Sequence, residues 1–209
     1  RNTISLFSNY AHFKAFYQHN LLVAAEILDE AMLIPYLNKS DLAECKLEYA
    51  DIMLLSGKVW TAILYYSQAE KSFKENPLGH EAKLRRAKIA YFQGDFEWAQ
   101  AQLDVLKAST SKLIANDAMH LSLLITDNLG LDTSEIPLQI FARADLLFFQ
   151  NRFSESIITL DSILNTYKGH SLTDEILFKK SEIHLKNNET EKAVAMLEKI
   201  ETEFFYDIL

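Results

Sequence analysis

Apolar residues recur every three or four positions along almost the whole chain, and strict apolar–polar alternation is absent. A period near 3.6 lines one face of a helix, whereas a period of two lines one face of a strand. The pattern predicts eleven helices, over 3–19, 22–36, 40–55, 59–75, 78–92, 95–107, 112–129, 135–149, 153–167, 171–186 and 189–206. The breaks have physical causes. Gly57, Gly94 and Gly130 can take the left-handed conformation that ends a helix, and Asn20, Asn151 and Asn188 take it at lower cost than most side-chain-bearing residues. Pro77 and Pro137 stand near helix starts, where a missing N–H does no harm.

The breaks also repeat. Asn20, Gly57, Gly94, Asn151 and Asn188 form one column, with steps of 37, 37, 57 and 37 residues. Five positions later stand Ala25, Ala62, Ala99, Ser156 and Ala193, all small. Seven positions earlier stand Phe13, Ala50, Ala87, Ala144 and Ser181, four of them small. Twelve positions after the turn come Met32, Ala69, Leu106, Ile163 and Ile200. Each unit therefore reads as helix A, a tight turn, then helix B. Small residues on both sides of the turn let the two helices approach closely, and each pair keeps an apolar flank that the next pair must cover. The step of 57 exceeds 37 by twenty residues, enough for one extra helix at 111–134 between sub-arrays at 1–110 and 135–209.

At these positions the chain resembles the tetratricopeptide repeat family. Ala50, Gly57, Ala62, Tyr66 and Ala69 stand at the spacings of that family's small–Gly–small–aromatic–small pattern. Ala87, Gly94, Phe96 and Ala99 do the same, as do Ala144, Phe153 and Ser156. The resemblance covers about 40–206, with a degenerate first unit at 5–37. It departs from the family in its longer period, against about 34 residues, and in lacking the Trp and Leu-Gly of helix A. It implies an all-α fold, a superhelical solenoid of antiparallel helix pairs in one domain, with helix A lining the concave face. The long period is similar to that of bacterial envelope members of the family, which implies the periplasm or cell envelope rather than the cytoplasm.

Composition narrows the partner. Almost half the residues are hydrophobic (49%), and only 5 Gly and 3 Pro are present, which fits long helices with short connections. With 21 basic against 29 acidic residues the formal net charge is −8. That balance opposes nucleic-acid binding, which depends on neutralising phosphates, and docking on an anionic membrane. No apolar run approaches the roughly 18–20 residues needed to span a bilayer. The lone Cys45 cannot form an internal disulfide and reads as a small core residue. The chain starts at Arg1 rather than Met and ends on the apolar stretch 204–209, so it is expected to be a piece of a longer protein.

Candidate chemistry is sparse. His12, His19, His80, His120, His170 and His184 form no two-histidine helical zinc motif, and no phosphate loop or nucleophile elbow occurs, so no metal, cofactor or small-molecule substrate is expected. Acidic neighbours such as Glu26 and Glu30 read as solvated helix faces, and Trp60 and Trp98 as packing residues. Six positions before the turns stand Lys14, Asp51, Lys88, Asp145 and Glu182, all charged between apolar neighbours. If helix A lines a concave face, this column faces the groove, flanked by Leu84, Tyr91, Phe141, Phe148 and Phe178. An apolar–aromatic groove with alternating charges suits a peptide or helix from a partner protein. The expected function is a non-enzymatic protein-interaction scaffold. The alternative is a spacer or self-association module that joins through its C-terminal end.

Overall fold

The computed structural model describes residues 2–130 and 134–204, and every regular element among them is helical. In chain order these are α1 (Asn2–His12), extended by a π-helical turn at Phe13–Tyr17, then α2 (Leu21–Met32), α3 (Lys39–Leu55), α4 (Val59–Ser72), α5 (Pro77–Phe92), α6 (Phe96–Leu106), α7 (Lys112–Gly130), α8 (Ile136–Phe149), α9 (Phe153–Thr166), α10 (Thr173–Lys186) and α11 (Thr190–Glu203). The fold is all-α and repetitive, as the apolar spacing predicts. The apolar stretch at 205–209 lies outside the described residues.

The same turn closes four hairpins. Gly57, Gly94, Asn151 and Asn188 all sit in the left-handed region, with φ of 79°, 79°, 58° and 60°. The following N–H reaches back five residues: Lys58 to the Met53 carbonyl at 2.8 Å, Asp95 to Ala90 at 2.9 Å, Arg152 to Leu147 at 2.9 Å and Glu189 to His184 at 2.8 Å. This Schellman arrangement satisfies carbonyls that a helix end would otherwise leave open. It needs one residue at positive φ, which Gly supplies without strain and Asn at modest cost.

The first hairpin departs from the predicted register. His19, not Asn20, takes the positive φ (53°), while Asn20 caps α2 by accepting the Val23 N–H at 3.3 Å. The cause lies just upstream, where Gln18 N–H reaches the Phe13 carbonyl at 3.1 Å and so inserts one residue into the last turn. With His19 as the turn and one residue inserted, the first unit falls into line. Ala24 and Ala31 are fully buried, while Ala25 and Met32, placed in those columns by sequence, are not. Ala11 takes the small position on helix A that had been assigned to Phe13.

Elsewhere the small columns lie in the core. Ala50, Ala87, Ala144 and Ser181 on the A helices are buried, as are Ala62, Ala99, Ser156 and Ala193 on the B helices. Close packing at these positions is what permits α3 to lie on α4, α8 on α9 and α10 on α11. Leu28, Tyr66, Leu103 and Leu160, nine residues after their turns, fill the space further along.

The chain forms two compact units, Arg1–Tyr91 with Asp95–Ser122, and Phe92–Gly94 with Leu123–Leu209. In the first unit α1 packs on α2 and α3, and α2 on α3. In the second, α9 packs on α10 beside the hairpins α8–α9 and α10–α11.

Candidate functional site

The charged column becomes a set of fasteners between consecutive A helices. Asp51 and Asp145 of the column, with His12 in place of Lys14, stand one residue after the small position, and each finds its partner two residues before the small position of the next A helix. In the first unit, Asp51 of α3 meets Arg85 of α5, and His12 of α1 meets Glu48 of α3 at 2.9 Å with the polarity reversed. In the second unit, Asp145 of α8 meets Lys179 of α10 at 3.3 Å. Regular helices of one register bring the same two positions together each time.

The fastener at Asp51 is the most elaborate. Its carboxylate accepts the Tyr66 hydroxyl on one oxygen and Arg85 on the other, and Arg85 Nε also donates to Glu81 Oε1 at 2.7 Å. Burial pushes the Asp51 carboxyl upward from its ordinary value, against the pull of Arg85 and Tyr66. Burial, then the Asp51 charge, likewise raises Glu48. Tyr66 is held well above the usual phenol range by burial and by Asp51. Burial alone would lower Arg85, but Asp51 and Glu81 more than offset it, so the guanidinium stays charged.

In the second unit Lys179 gathers three of the sequence-predicted residues. Its ammonium is 3.3 Å from Asp145, 2.6 Å from Glu182 and 4.8 Å from the centroid of the Phe148 ring. Burial would lower this lysine, but the two carboxylates hold it above its ordinary value. The geometry at Asp145 is structural, since Lys179 joins α10 to α8 there, while Glu182, which also holds Lys179, keeps its side chain 36% exposed.

Several residues expected in a partner-facing groove therefore belong elsewhere. Leu84, Tyr91 and Phe141 are 1%, 1% and 2% exposed, and so are core. They offer a partner no surface, and Tyr91 packs inside its own hairpin, its ring centroid 5.9 Å from that of Phe96. Asp51 and Asp145 point into the fasteners. Lys88 and Phe148 are half-buried, and Phe178 and Glu182 remain accessible. Trp98 packs under the Arg86 guanidinium, 5.2 Å from its ring, as a packing role demands. Trp60 does not pack: it is 78% exposed.

Arg85, Lys179 and their neighbours were not singled out from sequence. A signal was present, because Arg85-Arg86-Ala87 and Lys179-Lys180-Ser181 place two bases before the small residue in two units. The second base of each pair reaches the preceding B helix: Arg86 meets Glu70 of α4, and Lys180 meets Asp161 of α9 at 2.6 Å.

A further polar cluster lies where the α9–α10 loop meets α7. Ser171 donates to Asn128 Oδ1 at 2.7 Å, and Asn128 Nδ2 donates to the Leu124 carbonyl at 2.9 Å. The Glu175 carboxyl is pushed up to about 8 by burial, then by its hydrogen bond with Asp174. Ser171 Oγ stands 3.4 Å from His170 Nδ1, but that nitrogen accepts the Leu172 N–H at 3.1 Å. The pair thus lacks the geometry of a serine activated by a histidine base, which requires a short bond to a free ring nitrogen. Cys45 is buried and pushed up to about 11, chiefly by burial and then by Glu44, so it is a thiol at neutral pH. Among the described residues no group of three or more His, Cys, Asp or Glu side chains could hold a metal ion, and no helix is long and apolar enough to cross a membrane.

Comparison of this chain with protein-family models, with curated proteins and with solved structures finds no match.

Proposed function

We propose that this chain is a scaffold of the tetratricopeptide kind, whose hairpins stack as a solenoid and bind a segment of another protein without catalysing a reaction. The carrying observation is the division of labour among its side chains. Asp51, Arg85, Arg86, Asp145, Lys179 and Lys180 join helices, while large apolar residues such as Tyr17, Trp60 and Phe178 stay exposed. Among these, an exposed tryptophan such as Trp60 supports the reading most, because tryptophan is a frequent anchor of binding energy. The long repeat supports a place in a bacterial envelope assembly, by resemblance to long-period members of that family.

Site-specific photo-cross-linking tests the reading. A photoreactive phenylalanine is placed at Trp60, Lys88 or Phe178, with Glu97 and Lys192 as exposed polar controls. Cross-links to one segment of a partner protein, dense at the three sites and sparse at the controls, are expected. Equal yields at all five positions would overturn the reading. Cross-links only between copies of this chain would show a self-association module instead.

A further inference from the structure

Two joints between successive hairpins share one chemistry. At each, the incoming A helix carries adjacent bases, Arg85-Arg86 or Lys179-Lys180. The first takes the acid of the preceding A helix, Asp51 or Asp145, and the second takes an acid of the preceding B helix, Glu70 or Asp161. Those two B-helix acids stand thirteen and ten residues after their turns, one helical turn apart on the same face.

The hairpin α10–α11 repeats the receiving half of this joint. Glu182 stands where Asp51 and Asp145 stand, holding Lys179 of its own helix at 2.6 Å with 36% of its side chain still exposed, and α11 carries Glu198 and Glu201 at the two B-helix acid positions, both exposed. The apolar positions are likewise present and open. Phe178, Leu185 and Leu197 are 51%, 52% and 41% exposed, whereas their equivalents Leu47, Leu54 and Tyr66 in the α3–α4 hairpin are buried. Ten residues before the turn, three before it and nine after it, the α10–α11 hairpin offers what the α3–α4 hairpin hides.

We infer that this flank of α10–α11 docks an amphipathic helix of a partner protein that presents two adjacent basic residues beside its apolar stripe. The inference rests on the scaffold reading and specifies the chemistry of the partner. The bases would lie against Glu182 on one side and Glu198 or Glu201 on the other, in the manner of Arg85 and Arg86. A second copy of this chain docking through its own α1 does not fit, because the two residues before Ala11 are Asn9 and Tyr10, neither of them basic.

The chain supplies its own probe. A labelled synthetic peptide with the α5 sequence, 77–92, is titrated into the intact protein and followed by fluorescence anisotropy. Saturable binding that weakens with salt is expected. It should weaken by about tenfold or more when the peptide carries R85E and R86E, or when the protein carries E182K with E198K, as for removal of a close charge pair. Acidic peptide and basic protein together should recover most of the loss. F178A in the protein should weaken binding without altering the helical circular dichroism. Absence of binding, binding indifferent to these charges, or sedimentation showing that the flank is occupied by a second copy would overturn the inference. Cross-linking at Lys88 and Trp60 is independent of this flank, so failure here leaves the scaffold reading to its own test.

Discussion

Ser156 Oγ donates to the Ala144 carbonyl oxygen at 2.8 Å, wholly inside the α8–α9 hairpin. The two residues are the small positions of helix B and helix A in one unit. The bond shows how close the backbones come there. Ser156 is tolerated in a column otherwise made of alanine because its hydroxyl finds that carbonyl. Ser156→Ala should therefore cost about 0.5–1.5 kcal/mol, the net worth of one internal hydrogen bond, measured by urea unfolding.

Larger side chains should fail in the same column. Ala62→Leu, Ala99→Leu and Ala193→Leu should each destabilise by about 1–3 kcal/mol through overpacking. Unchanged unfolding midpoints at all three would contradict the packing.

The register of the first hairpin has its own test. Ala24→Leu should carry a similar cost, about 1–3 kcal/mol, whereas Ala25→Leu should stay within about 0.5 kcal/mol. Paired thermal melts decide between the two residues. The reverse order would remove the inserted residue at Phe13–Tyr17 from the explanation.

The helix-to-helix fastener invites a double-mutant cycle. Arg85→Met strands the Asp51 carboxylate between α3 and α5, and should cost about 2–4 kcal/mol, less than in a dry interior because both groups keep some water contact. Asp51→Asn combined with Arg85→Met should cost less than the sum of the single changes, by about 1–3 kcal/mol. Additive losses in chemical denaturation would mean the pair contributes nothing.

Glu175 predicts a pH dependence. Its carboxyl is pushed up to about 8 from an ordinary 4.5, mainly by burial. The folded state therefore keeps a proton that the unfolded chain releases, and stability falls as pH rises from about 4.5 to about 8. Below that window both states are protonated and the term vanishes. Glu175→Gln should flatten this part of the pH profile and stabilise the protein above pH 8, relative to the parent chain. Identical profiles of urea midpoint against pH would refute the assignment.

The turns offer the cleanest backbone test. Nothing lies within 4 Å of a Cβ built on Gly57, whose φ is 79°. Gly57→Ala should thus cost about 1–2 kcal/mol from left-handed strain alone, and Gly57→Asn less, as Asn151 and Asn188 indicate. Equal melting temperatures for the two variants would show that conformation is not what this site selects.

Helix count and, after the first hairpin, the turn positions and the small columns were legible from the chain alone, because they depend on local physics. A period near 3.6 specifies a helical face, a left-handed turn favours Gly or Asn, and a close crossing admits only small side chains. Tertiary packing decided what lies beyond a single hairpin. It turned the charged column into helix-to-helix fasteners, buried Leu84, Tyr91 and Phe141, and moved the first register by one residue at the π-helical turn. None of this could be read from spacing. An acid between apolar neighbours looks the same whether it faces solvent or a base 34 residues away at Arg85. Only the approach of the next helix sets the desolvation that separates the two cases.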